Sequence, residues 1–326
     1  MTAPNLGQLI TSTLFHQKKE IADSMGDNNA LHYVLDKKNK IRKVSGGYEL
    51  RSAVAYQDIS AGLWHTASQE LPTTWNDVLD AYVYDWKQLV VPVGFTGKEL
   101  LMNSGSNEQM IDLAVQKVDI AKRTLKNILN AAYFSDGTGS SGLEIGGLQY
   151  LLADAATTGV VGDINRATAT WAQHKLYDFS VAGVASSAST IQDAMLDLYT
   201  QSYRADTGAC DLWMLGSTYF KYYHQSLQGM QIVRKESDLA KAGFTTLEFM
   251  GGDVVLGGGQ GGAQSATRGY AINTDFFELI VHRDRYMVPL KPDPRVPVNQ
   301  DSEISYLGFM GNLAINAGFV HGTIIE

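Results

Sequence analysis

The sequence predicts an α+β fold of two compact domains, with an extended N-terminal arm and a long β-hairpin, and three observations carry the prediction. Ile111, Ala114, Val118, Ala121, Leu125, Ile128 and Ala132 recur three or four residues apart, the apolar stripe of one long helix. Leu307, Phe309, Leu313, Ile315 and Phe319 all stand at odd positions, Gly311 and Ala317 complete that parity, and Asn312 and Asn316 fall on the other. This is the period of a strand with one buried face. KPDPRVPV at 291–298 places three of the seven prolines in eight residues, which excludes helix or central strand there and marks a crossing between domains.

Composition bounds the function. A chain of 326 residues has length for roughly two domains, each able to bury its own core. Its charged fraction is 18%, below the roughly 25% of ordinary soluble proteins, and polarity comes instead from Ser, Thr, Asn and Gln. Low charge beside 16 Tyr and 5 Trp is what extensive subunit interfaces favour, although a monomer with a neutral surface fits the same numbers. The N-terminus, MTAPNLGQLITSTLF, lacks the basic flank and apolar core of a secretory signal, and no apolar run approaches the length of a membrane span. A single Cys, Cys210, excludes an intrachain disulfide framework and fits folding in a reducing cytoplasm. The net charge of −8 argues against tight nucleic-acid binding. DKKNKIRK at 36–43 is the local exception, with Lys37, Lys38, Lys40, Arg42 and Lys43 against Asp36 alone. Such a run is more often a solvated or subunit-pairing face than a DNA contact.

Taken in order, residues 1–47 read as an extended arm with a short helix near Ala30–Asp36, ended by Gly46-Gly47. From Tyr48 to Val93 two β-rich segments flank a polar middle and form a hairpin. The second segment puts Tyr82, Tyr84 and Trp86 on one face and Val83, Leu89, Val91 and Val93 at the other parity, interrupted by Asp85 and Lys87. Thr96 to Glu99 is a capping-box pattern that opens a short helix, and Ser106 with Gln109 repeats it at the head of the long one. That helix runs to about Phe134, roughly 40 Å at 1.5 Å per residue, with Lys117, Asp119, Lys122, Arg123 and Lys126 mainly off its stripe.

After SDGTGSSG a second region begins. It has a helix capped by Ser189 with Gln192 and carrying Ile191, Ala194, Met195 and Leu198 on one face. A buried strand follows at Leu212–Leu215, then a helix from an N-cap at Ser217, then strands at Leu247–Phe249, Asp253–Leu256, Tyr270–Asn273 and Phe276–Val281. The terminal strand needs an amphipathic cover and the long helix supplies one. Residues 94–145 and 298–326 therefore pair as one discontinuous domain, with 146–297 inserted as the second.

No reaction centre emerges. GGGQGG at 257–262 lacks the Lys-Ser or Lys-Thr that follows the glycines of a phosphate loop and reads as a surface loop. Asp206-Thr207-Gly208-Ala209 matches the short string of aspartic peptidases, but a single copy after a helix reads as a helix-ending turn. The seven histidines, His16, His32, His65, His174, His224, His282 and His321, are dispersed without metal-ligand spacing, and GxSxG is absent.

The succession DWKQLVVPVGFTGKELLMNSG, a long helix through NILNAAYFSDGTG, IGGLQYLL and GVVGDINRATATW resembles the middle of a tailed-bacteriophage major capsid protein of the Hong Kong phage fold. The resemblance extends from NALHYVLDKKNKIRKVSGGYEL at 29–50 to the last strand. It implies an N-terminal arm (1–47), an extended loop or β-hairpin (48–93), a peripheral domain with a spine helix and long strands (94–145 and 298–326), and an inserted axial domain (146–297).

It also implies a non-enzymatic shell subunit, without cofactor, metal or membrane, located in the virion capsid and assembled in the bacterial host cytoplasm. Its partners are other copies of itself in hexameric and pentameric capsomeres, scaffold and portal proteins, decoration proteins in some members, and packaged double-stranded DNA contacted weakly. Lys37, Lys38, Lys40, Arg42 and Lys43 of the arm, with Trp64, Trp75, Tyr82, Tyr84 and Trp86 of the hairpin, are the expected inter-subunit contacts. The Lys and Asn that some members crosslink have no identifiable match here. Two alternatives stay open at this point, an encapsulin-like compartment of the same fold and an aspartic peptidase using Asp206.

Overall fold

The computed structural model describes residues 29–71, 73, 76–102, 107–204, 208–227, 246–257, 264–290 and 301–326. The proline run 291–298, GGGQGG beyond Gly257, Ser106, Asp206, Thr207 and Trp75 lie outside those described residues. In chain order the first elements are α1 (Ala30–Lys37), β1 (Ile41–Val44), β2 (Leu50–Ala55), β3 (Leu79–Tyr84), β4 (Lys87–Thr96), α2 (Gly97–Met102) and α3 (Asn107–Tyr133). There follow β5 (Val160–Val161), β6 (Ile164–Asn165), β7 (Lys175–Asp178), α4 (Ile191–Ser202), β8 (Leu212–Leu215) and α5 (Ser217–Ser226). The last are β9 (Thr246–Phe249), β10 (Gly252–Leu256), β11 (Gly269–Ile272), β12 (Phe277–Pro289), β13 (Ser302–Ile315) and β14 (Gly322–Ile325).

Local chemistry sets several boundaries where the sequence places them. The Thr96 hydroxyl accepts from the Glu99 backbone N–H (3.3 Å) while the Glu99 carboxylate accepts from the Thr96 N–H (3.0 Å), the reciprocal capping box that starts α2. Along α3, Val118, Ala121, Leu125 and Ala132 are buried as expected. Ile128 is not: it stands 41% exposed and Leu129 takes its place inside. A stripe that steps by three or four must take the longer step to keep pace with 3.6 residues per turn. On α4 the apolar face Ile191, Ala194, Met195 and Leu198 is fully buried, but the cap is Thr190 and not Ser189 with Gln192. The Ser187 N–H donates to the Thr190 hydroxyl, and Gln192 reaches away to donate to the Ser226 hydroxyl. Gly216, not Ser217, caps α5, because a Cβ there would run into the Ser265 and Ala266 backbone carbonyls.

Two sheets organise the chain. One has the order β1-β12-β13-β4, with β1 parallel to β12 and the rest antiparallel. The other has the order β7-β14-β11-β8-β10-β9. The second sheet is buried on both faces at its centre, which is why LWML (β8) is apolar throughout. Leu212, Met214, Val255, Tyr270 and Ile272 join the core that holds α1, α3 and the four-stranded sheet. Their alternates Trp213, Leu215, Val254 and Ala271 join a second core beneath α4 and α5, with Ile191, Met195, Leu198, Tyr219 and Tyr223.

Strand pairing departs from the expected segmentation in three places. The hairpin's arms are β2 and β3 alone, and Asp85-Trp86 break the run, so Leu89, Val91 and Val93 belong to β4, which pairs with β13 from Lys87 to Thr96. β4 thus runs through the expected 93/94 boundary. β12 continues past Val281 to Pro289 and pairs with β13, joining the sheet covered by α3 instead of the inserted region's sheet. Conversely β14, beyond β13, joins the six-stranded sheet between β7 and β11. β13 itself is buried on both faces from Gly311 to Ile315, so its alternation reflects only its outer half, and Ala317 and Phe319 lie beyond its end. Alternation reports which side chains face inward but not which neighbour a strand hydrogen-bonds to.

Candidate inter-subunit surface

The arm residues expected to reach a neighbour are folded onto their own chain from Asn29 onward. Leu31 and Leu35 of α1 are fully buried, and β1 lies in register with β12, Ile41 opposite Leu279. Asn29 donates to the Asn130 side chain of α3 (2.7 Å), and the two ring nitrogens of His32 meet the hydroxyls of Tyr133 (3.0 Å) and Tyr286 (3.3 Å). The basic run is occupied as well. Lys38 pairs with Asp211 and donates to Thr274, Lys40 pairs with Asp275 (3.1 Å), and Arg42 pairs with Glu278 (3.0 Å). Lys37 and Lys43 lie over the rings of Tyr33 and Tyr286. Four of these five cations tie the arm to the rest of their own chain, and the Tyr33 ring beneath Lys37 lies within α1.

The hairpin divides into a buried root and an exposed end. Tyr82 and Tyr84 are 1% and 3% exposed, which corrects their assignment as inter-subunit contacts. They are covered by their own chain, because the Tyr84 hydroxyl accepts from the Ile315 N–H (3.2 Å) and Tyr82 packs edge-on against Trp171. Gly162 makes this possible: its φ is +56° and a Cβ on it would press on the Tyr82 side chain. Trp86 is half-buried, donating from its indole N–H to the Gly47 carbonyl (2.8 Å) with its ring edge against His282.

Past Ala55 the environment changes. Tyr56 stacks on Trp171 and donates to the Asp77 carbonyl (2.8 Å), and Asn76 bridges to the Ser60 N–H (3.0 Å) and the Asp58 carbonyl (3.1 Å). Beyond these ties Ile59, Leu63, Trp64 and Leu71 are exposed, Trp64 completely. Among the described hairpin aromatics singled out from sequence, Trp64 is therefore the one left without cover.

Sequence reasoning missed several buried polar groups. Arg166 is 1% exposed, donates to the Leu151 carbonyl, and is held below the usual guanidinium pKa by burial. Burial also lowers His32 and His321 to about 4 and, with Arg166 adding to it, His174 to about 3. Isolated histidines and arginines carry no spacing signal that separates a core group from a surface one. Burial raises the Cys210 thiol to about 12, which makes it an inert core residue. A cavity of about 390 Å³ beside the hairpin root is lined by Asp85, Asp136, Glu144 and Asp163, with Lys87 turned to the Gly142 carbonyl. Among the described residues no group of three or more His, Cys, Asp or Glu is arranged to hold a metal ion, and no helix is long and apolar enough to cross a membrane.

These features define a fold with an arm folded back on the subunit and a projecting hairpin whose end has no apolar cover. Chains of the same architecture are found among solved phage capsids. The capsid asymmetric unit of cyanophage A-1(L) superposes with a TM-score of 0.67 at 12% identity, covering 88% of this chain and 90% of that one. The capsid of Myoviridae phage XM1 gives 0.52 at 12% identity (90% and 91%), and a Mycobacterium phage Bobi chain gives 0.53 at 10% identity (88% and 89%). No protein-family description and no curated protein sequence matches this chain. The chain has the tailed-phage major capsid fold, preserved where sequence identity is almost gone.

Proposed function

We propose that this chain is the major subunit of an icosahedral shell enclosing the double-stranded DNA of a tailed bacteriophage, acting by association and conformational change without a chemical step of its own. The observation that carries the reading is near-complete coverage: 88% of this chain matches 90% of the cyanophage capsid chain. The exposed end of the hairpin supports it, since clustered apolar side chains left in water mark an interaction site. In this reading the four-stranded sheet with α3 forms the peripheral part of a capsomere and the six-stranded sheet with α4 and α5 the axial part. Copies join as hexamers and pentamers, with scaffold and portal proteins as partners during assembly in the host cytoplasm. Imaging native particles and measuring their nucleic acid tests the proposal. Closed shells filled with double-stranded DNA are expected, shells filled with protein cargo would reassign the chain to a compartment, and monomers alone in a lysate of infected cells would remove the reading.

A further inference from the structure

We propose that Trp171, with the two-residue turn Gly162-Asp163, is a brace that fixes the direction in which the hairpin leaves its own subunit, so that association starts from one hairpin orientation. Tyr56 and Tyr82 are the hairpin's side of the brace. The base of the hairpin belongs to the four-stranded sheet, because β3 runs through Asp85-Trp86 directly into β4. A two-stranded ribbon is marginal in water, and one held only at its base has nothing to set its angle.

Contacts with residues 160–171 supply a second point of attachment. Gly162 and Asp163 both have positive φ, +56° and +63°, and join β5 to β6 as the tight turn of a short hairpin. Its tip lies against β3: the Val83 N–H donates to the Gly162 carbonyl (3.0 Å), and a Cβ on Gly162 would stand 2.9 Å from that of Tyr82. Trp171 then engages both strands with one indole. It meets Tyr82 of β3 edge-on (centroids 6.0 Å apart) and stacks on Tyr56, the residue after β2 (5.0 Å, 22° between planes). Beyond Tyr56 the hydrogen bonds join the ribbon to itself, as from Gln57 to the Asp77 carbonyl and from the Ser60 N–H to Asn76. The brace is rooted in the other sheet. Ala172 is held where a Cβ on Gly318 would run into its carbonyl, and Lys175, which opens β7, donates its N–H to the His321 carbonyl (2.8 Å). β7 is an edge of the six-stranded sheet. The hairpin is therefore based on one sheet and braced from the other, and two points fix a direction that one cannot.

The use of the brace in assembly rests on the shell reading, whereas the brace itself does not, and the test reads the two apart. Cys210 is the single cysteine and is buried, so spin labels at Asp58→Cys beyond the stem and Asn127→Cys on α3, both exposed positions, report the hairpin's direction in free subunits. Pulsed electron resonance should give one narrow distance. Trp171→Ala and Tyr56→Ala should each broaden it, since loss of an aromatic pair shifts a population roughly two- to tenfold. Trp171→Phe and Tyr56→Phe keep the rings and should keep the narrow distance. Tyr56 belongs to neither core, so Tyr56→Ala should leave far-UV circular dichroism unchanged, and it carries the test if Trp171→Ala loses helix. Without labels, the alanine variants should begin to form particles only at a severalfold higher subunit concentration, because apparent affinity falls with the fraction of chains in the competent orientation. A broad distance in wild type, a narrow one in Tyr56→Ala, or particle formation at the wild-type concentration by a variant whose distance has broadened would overturn the proposal. Wild-type chains that show the narrow distance, lose it on alanine substitution and never form closed particles would support the brace and remove the shell reading instead.

Discussion

Tyr82 and Trp64 belong to one hairpin yet meet opposite environments, one sealed under Trp171 and Gly162 and the other wholly in water. Their surroundings, not their residue type, decide which stabilises the subunit and which is free to meet a partner. Histidine gives the sharper residue-scale prediction. His32, His174 and His321 are buried neutral, with pKa values held near 4, 3 and 4 chiefly by desolvation. Each lies below the unfolded value of about 6.5, so the unfolded state binds more protons as the solution is acidified. Stability should therefore hold above about pH 6.5 and decline as pH falls toward 4, each histidine contributing a loss on the order of a few kcal/mol. Urea midpoints for wild type and His32→Gln across this window isolate one of the three from the carboxylates that titrate nearby. The gap between the two proteins should narrow or reverse on acidification, and a gap independent of pH would show that His32 is not held neutral.

At the scale of elements, the hairpin is two short strands carrying a long exposed end. A two-stranded ribbon is marginal in water, and here β3 gains support from contact with β13 and from Tyr82 and Tyr84 in the core, while residues 58–71 add no side chain to either core. Replacing 58–77 with a short Gly/Ser turn should leave β2, β3 and the helices intact. The product should be a soluble subunit with near-normal circular dichroism that no longer closes shells. Normal particles from this deletion would refute a role for the hairpin end in joining subunits, and an unfolded subunit would place the hairpin end in the subunit's own core. The arm obeys the same physics with the opposite result: α1 buries Leu31 and Leu35 and satisfies its polar groups on α3, so from Asn29 onward it is part of the subunit.

For the whole molecule, the ion pairs of Lys38, Lys40 and Arg42 join the arm to the rest of the chain and engage those cations, still partly exposed, with carboxylates. On the proposed reading, a net charge of −8 besides means that a shell of such subunits would hold DNA by confinement. Free subunits should bind duplex DNA weakly at physiological salt, with a shallow dependence of log affinity on log salt. A slope corresponding to about six or more displaced counterions would show that the arm's cations leave their carboxylates for phosphate.

Whatever local periodicity and local hydrogen bonding encode could be read directly along the chain. The long helix, the capping box at Thr96 and Glu99, the buried strand LWML and the apolar face of α4 were all legible, because the residues that fix each lie within a few positions of one another. The order of elements also sufficed to evoke the capsid fold. Strand pairing needed the folded chain, since alternation is the same for any partner: β4 and β12 flank β13, and β14 crosses into the other sheet. Folding also decided the fate of each candidate contact. Lys38 meets Asp211 and Tyr84 meets Ile315 across most of the chain's length, and no local pattern records such a meeting. Burial is a property of that long-range arrangement, so a tyrosine that seals the core and a tryptophan left in water look alike until the chain is folded.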